Sequence, residues 1–130
     1  MIVLDASAAI ELVLNTATGA RVAARIGEGG ESLHAPHLLD VEVAQTLRRY
    51  ETAGGLAPRR AREALDDFAD LDLERYPHDV LLPRVWQLRR NVTACDAVYL
   101  ALAEALGARV LTCDARLARA PGGRGLVAVV

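Results

Sequence analysis

The stretch from Asn91 to Leu117 constrains the fold of this chain more than any other. Between Thr93 and Leu106 almost every side chain is small or apolar, and Asp96 and Glu104 carry the only charges. A helix with so little polar surface is buried on most of its circumference. Gly107 then offers a left-handed cap, and Ala108 to Thr112 reads as a short buried strand running straight into Asp114. Two carboxylates therefore stand at the edges of a core. Asp96 begins a buried helix, and Asp114 follows the end of a buried strand.

The remaining elements follow from the same reasoning. Met1 to Leu4 is a short apolar run, hence a buried strand, and Asp5-Ala6-Ser7 opens a helix that continues through Ile10 and Val13. A second helix covers about Gly19 to Glu28, and Ser32 to His34 forms a second strand closed by Pro36. His37 to Ala53 is the best amphipathic helix, with Leu39, Val43, Leu47 and Tyr50 on one face. Pro58 suits the first turn of a helix that turns Ala61, Ala64, Leu65 and Phe68 inward. Leu71 to Tyr76 is a weak third strand, and Asp79 to Arg90 a further helix with Pro83 near its start and Trp86 on its apolar face. Ala115 to Ala120 makes a turn or two of helix, and Leu126 to Val130 a last strand.

Short apolar strands alternating with helices mean βα units around a parallel sheet covered on both faces. The fold class is α/β, a parallel sheet flanked by helices in three Rossmann-like layers. The 130 residues are expected to form one domain, 1–130. In such sheets ligands bind beyond the carboxyl ends of the strands, where the strand order reverses. Asp5 and Asp114 both lie at that end.

A net charge of −2 gives no global attraction to nucleic acid, so any such binding needs a local patch or a metal. All fifteen basic residues are Arg, which reads as GC-rich coding before it reads as phosphate recognition. No run reaches transmembrane length, and Asp5 and Glu11 interrupt the apolar start that would otherwise suggest a signal peptide. The expectation is a cytoplasmic protein with no membrane contact. Its two cysteines, Cys95 and Cys113, should be reduced, buried and inert, since nothing basic in sequence would lower their pKa. His34, His37 and His78 have the wrong spacing for zinc.

Each acid has a structural role available. Asp5 or Ser7 can cap the first helix, Thr93 to Asp96 matches a capping box, and Asp114 can cap the helix after it. Glu42 is different, because it lies inside a helix at the border of the apolar side. Asp40 is nearly as well placed, and spacing does not choose between them. Taken together the acids mean more. Carboxylates gathered at one sheet edge repel by roughly 3 kcal/mol per pair at about 5 Å and an effective dielectric near 20. Either some are protonated or a divalent cation sits among them, and oxygen donors alone select Mg²⁺ or Mn²⁺. Such an ion activates water at neutral pH and offsets phosphate charge.

Four segments in order, Ile2 to Ile10, Leu38 to Arg49, Thr93 to Glu104 and Leu111 to Asp114, resemble the PIN-domain ribonucleases, most closely the VapC toxins of toxin–antitoxin pairs. The resemblance covers the whole length. It implies a first strand near the centre of the sheet with the last helix-strand unit beside it, so that Asp5, Glu42, Asp96 and Asp114 meet. By that analogy Asp5 and Asp96 are metal ligands, Asp114 is a ligand or water-mediated partner, and Glu42 positions or deprotonates the attacking water. It also selects Glu42 over Asp40, since the family's acid is followed by a Val-Ala pair. Ser7 and Thr112 would supply hydroxyls beside the acids. The implied partners are an RNA substrate, a cognate antitoxin lying along grooves near the first four helices, and a second copy in a homodimer. Ala115 and Arg116 stand where some relatives carry another acid, which leaves the number of metals open. For Tyr50 and Trp86, core packing is preferred to partner contact.

Rival classes fit less well. A receiver domain needs a lysine, and the chain has none; a haloacid-dehalogenase-type phosphatase needs an aspartate where Ser7 stands. A serine hydrolase would need a Gly-x-Ser-x-Gly elbow, also absent. The alternative that survives is a catalytically silent module of the same fold that binds a protein or RNA.

Overall fold

The computed structural model describes residues 1–130. Its five strands are β1 (Ile2–Leu4), β2 (Leu33–Pro36), β3 (Leu73–Tyr76), β4 (Arg109–Thr112) and β5 (Val127–Val129). All pairings are parallel, in the order β3-β2-β1-β4-β5, so β1 is central. Its register sets Val3 beside His34 on one side, and Val3 and Leu4 beside Val110 and Leu111 on the other. The helices are α1 (Ala6–Val13), α2 (Ala17–Gly29), α3 (Leu38–Thr52), α4 (Pro58–Ala69), α5 (Leu82–Gln87), α6 (Ala94–Leu106) and α7 (Ala115–Arg119).

The chain moves outward from β1 through β2 to β3, then returns to place β4 on the other side of β1. The switch point thus lies at the carboxyl ends of β1 and β4, where a crevice forms. Helix α6 delivers the chain back to the sheet centre. Its seven consecutive residues Ala97 to Ala103 are all buried, as its sequence requires, and Gly107 ends it at φ 62°. Residues of β1, α1, α3, α6 and β4 join in one core, with Val3, Leu4, Leu39 and Leu100 entirely enclosed. α1 and α2 approach so closely that a Cβ on Gly19 would overlap the Glu11 carbonyl.

Some expectations require correction. The helix expected over Asp79 to Arg90 is split into a 3-10 turn at Asp79–Leu81 and the short α5, with Pro83 in its first turn. So short an element buries only Val85, with Leu88 just beyond it, and leaves Trp86 67% exposed under the guanidinium of Arg89, 4.5 Å from the ring centroid. Tyr50 is 41% exposed, because the last turn of α3 runs past the edge of the core that holds Leu39, Val43 and Leu47. Cys95, expected to be buried, is exposed in the first turn of α6, and Cys113 is partly buried. β2 runs past His34 to Pro36, its last residue.

Candidate active site

Asp5 follows β1 and is 7% exposed. Its Oδ1 accepts from the Ala8 amide at 3.0 Å, capping α1, and from the Ser7 hydroxyl at 2.7 Å. Its Oδ2 accepts from the Thr112 hydroxyl at 2.5 Å. Thr112, wholly buried at the end of β4, also accepts the Asp114 amide at 2.9 Å, and Ser7 accepts the Cys113 amide at 2.9 Å. The two hydroxyls lie 3.1 Å apart. Ser7 and Thr112 thereby join the ends of β1 and β4 and fix one buried carboxylate between them. Burial pushes the Asp5 carboxyl above its ordinary range; the hydrogen bonds oppose this, and the charge of Asp96 adds to it.

Glu42 projects from α3 and is half-buried, and its Oε2 accepts from the Tyr99 hydroxyl at 3.0 Å. Burial raises its pKa first, and the charges of Asp96 and Asp5 raise it further. Tyr99 is itself buried, and burial followed by the Glu42 charge drives its phenol pKa upward, so it remains a donor. Asp96 lies in the first turn of α6, where the aligned amides favour an anion, and its own amide donates to the Thr93 hydroxyl at 3.2 Å. Asp5, Glu42 and Asp96 therefore act on one another electrostatically. Asp40, the rival of Glu42, faces elsewhere and pairs with Arg75 at 2.8 Å.

Asp114 is placed differently. It caps α7 through the Arg116 amide at 2.9 Å, and the Arg116 guanidinium holds both of its oxygens, at 3.1 and 3.0 Å. Those bonds hold its carboxyl below the usual range. It shares with Asp96 an open cleft of about 540 Å³, to which Arg89, Arg90 and Arg116 also contribute. The expected four acids are thus three coupled carboxylates and a fourth that adjoins Asp96 but is paired with arginine. No three His, Cys, Asp or Glu side chains close on a common point that could hold an ion.

The donor chemistry nevertheless fits a hard divalent cation. The neighbouring groups are carboxylates, two of them with raised pKa, and a cation offsets the burial and repulsion that raise it. The nearest partly buried thiol, Cys113, is pushed up by burial and by Asp5, away from the thiolate form that soft metals require. Asp5 and Asp96 would hold such an ion, with Asp114 available once Arg116 turns away.

Sequence reasoning passed over Tyr99 and the arginines of the cleft. Tyr99 had a signal, as the only hydroxyl in the buried run of α6, three residues after Asp96. The arginines had none, since Arg is the only basic residue type throughout the chain.

A parallel sheet with acids gathered at its topological switch point defines the class, and the family model described as PIN domain matches residues 2–123; the chain belongs to that family. It is 41% identical to Ribonuclease VapC12 of Mycobacterium tuberculosis over 130 residues, covering 100% of this chain and 99% of that one. Among solved structures it is similar to PAE2754 from Pyrobaculum aerophilum, with a TM-score of 0.70, 23% identity, and coverage of 97% of this chain and 81% of that one. Mycobacterium tuberculosis VapC20, described as a sarcin-ricin loop cleaving toxin, shares the fold with a TM-score of 0.60 at 18% identity, covering 88% of this chain and 91% of that one.

Proposed function

We propose that the protein is a metal-dependent endoribonuclease, the toxin of a toxin–antitoxin pair, that hydrolyses RNA phosphodiester bonds. The observation that carries this reading is the gathering of Asp5, Glu42 and Asp96 at the switch point beside an arginine-lined cleft, where burial first and the neighbouring carboxylates second raise the pKa of Asp5 and Glu42. The likeness to Ribonuclease VapC12 over the full chain supports the RNA substrate.

The residues divide the work. Arg89, Arg90 and Arg116 draw the phosphate backbone into the cleft. Asp5, immobilised by Ser7, Thr112 and the Ala8 amide, and Asp96, at the start of α6, would hold Mg²⁺ or Mn²⁺. When bound, the ion supplies charge neutralisation at the phosphate and lowers the pKa of attacking water. Glu42 is suited to general base: Tyr99 engages Oε2 and fixes the side chain, and the raised pKa brings its basicity toward the working pH. Water oxygen bonds to phosphorus as the bond to the 3′ oxygen breaks. Glu42 takes the water proton, and the departing 3′ oxygen takes up a proton from solvent to become a hydroxyl, so the downstream fragment carries a 5′-phosphate.

A catalytically silent module is favoured by one feature, the Arg116 grip on Asp114. The two readings separate on the ends produced. Cleavage of end-labelled RNA in Mg²⁺ is expected to give 5′-phosphate ends and to stop in excess chelator. Cleavage that persists in chelator with cyclic or 3′-phosphate ends would refute the mechanism, and no cleavage by folded, metal-loaded protein would favour the silent module.

An antitoxin segment is supported by the groove of about 210 Å³ between α3 and α4, where Leu47, Ala61 and Leu65 offer apolar contacts between Arg48, Glu51 and Arg62. A homodimer is supported by the exposed Val80, Leu82 and Trp86. A monomer mass in light scattering at micromolar concentration would count against it. No helix is long and apolar enough to cross a membrane, and the protein is proposed to act in the cytoplasm as a single domain.

A further inference from the structure

We infer that a second pocket, on the side of Cys113 away from the arginine cleft, holds a nucleobase next to the scissile bond and selects guanine; this rests on the ribonuclease reading. The pocket, about 390 Å³, is lined by Ser7, Glu11, Arg49, Tyr50 and Cys113 among others. It adjoins the catalytic residues through Ser7 and Cys113. Ser7 lines it and donates to Asp5, while Cys113 lines it and Asp114, the next residue, lines the arginine cleft. An RNA strand laid across the Cys113–Asp114 backbone therefore has phosphates among Arg89, Arg90 and Arg116 and one base in the second pocket.

The lining matches a base rather than a phosphate. Tyr50, half out of the core at the end of α3, provides a ring for stacking, which is sequence-tolerant by itself. Selectivity comes from the pair beside it. Arg49, which takes part in no ion pair, is a forked donor, and Glu11, steadied by the Thr16 hydroxyl, is an acceptor. Guanine alone among the four bases offers two adjacent acceptors, O6 and N7, to a guanidinium, and two adjacent donors, N1–H and N2–H, to a carboxylate. An adenine or a pyrimidine cannot pair both charged groups through two bonds each. The exposed tyrosine of α3, unexplained by packing, thereby acquires a role.

The test uses four fluorescein-labelled RNA decamers, uridine throughout except for one central G, A, C or U. Binding is read by anisotropy in chelator, and cleavage in Mg²⁺. The wild-type protein is expected to bind and cut the G decamer best. Tyr50→Ala should weaken its binding about 10- to 100-fold, the span of stacking losses on removal of an aromatic. Tyr50→Phe should keep the affinity, and Glu11→Gln should erase the preference for G. Equal binding of the four decamers overturns the inference. So does a Tyr50→Ala protein that binds as wild type and cuts at the same positions, a result that leaves the ribonuclease reading standing. Tyr50-dependent binding of the G decamer with no cleavage of any RNA supports the pocket and overturns the ribonuclease reading instead.

Discussion

Replacing Thr112 with valine probes the junction on which the site is built. The side chain is fully buried, donates to Asp5 Oδ2 at 2.5 Å and accepts the Asp114 amide at 2.9 Å. Valine keeps the shape and removes both bonds. Losing a hydrogen bond to a charged group costs about 1.5–3 kcal/mol, and the stranded Asp114 amide adds about 1 kcal/mol or more. The methyl that replaces the hydroxyl returns somewhat under 1 kcal/mol, taking about 0.8 kcal/mol per buried carbon. The net is a destabilisation of about 2–4 kcal/mol, read from urea unfolding in chelator at neutral pH. Because Thr112 is the foremost of the hydrogen bonds that favour the ionised carboxyl, its removal also raises the Asp5 pKa further. The loss should therefore shrink as the pH is lowered and Asp5 takes up a proton. Thr112→Ser keeps the hydroxyl and should cost only about 1 kcal/mol, the value of one buried methyl. A valine variant as stable as wild type, or a serine variant as damaged as the valine one, would refute this account of the junction.

Two further outcomes follow from the same geometry. Asp5 and Glu42 have raised pKa values in the folded protein, so it keeps protons there that the unfolded chain has already released. Metal-free stability should thus fall as the pH rises through that window, giving a higher urea midpoint at pH ~5 than at pH ~7.5. The pairs that lower Asp114, Glu104 and Glu31 act oppositely, but their contribution disappears only as the pH falls through values below the ordinary carboxylate range. Mg²⁺ should raise the midpoint at the higher pH; a metal-free midpoint that is higher at pH ~7.5 contradicts the scheme. Gly19→Ala should destabilise by about 1–3 kcal/mol or more, since its Cβ meets the backbone of Glu11 rather than a yielding side chain. An unchanged thermal midpoint would show that α1 and α2 separate freely.

The parts legible in the sequence were those decided by local chemistry. Helix α6 announced itself because its residues are small or apolar on nearly every side, and Gly107 could only end it. Asp5 and Asp114 were readable as the residues following buried strands, and both do cap the next helix. Capping and site placement coincide here, since a residue between strand end and helix start serves both. What the chain order hides are contacts made across space. Tyr99 reaches Glu42 over 57 positions, and Arg75 claims Asp40 over 35. The Arg116 grip on Asp114 is local, yet it depends on a rotamer that spacing does not specify. Trp86 and Tyr50 were misplaced because periodicity gives the angular position of a side chain and says nothing of where the core stops.

The central claim is that Asp96 is the carboxylate through which the acids at the switch point act on RNA. Its most direct test is single-turnover cleavage of end-labelled RNA by wild type and Asp96→Asn in Mg²⁺, with urea unfolding measured on both. Asparagine keeps the side-chain size and removes the charge that adds to the burial-driven rise in the pKa of Asp5 and Glu42. The account predicts discrete cuts by wild type, a loss of at least about 100-fold in the variant as expected for a lost metal ligand, and metal-free stability unchanged or increased. Equal cleavage by a well-folded Asp96→Asn protein would contradict it.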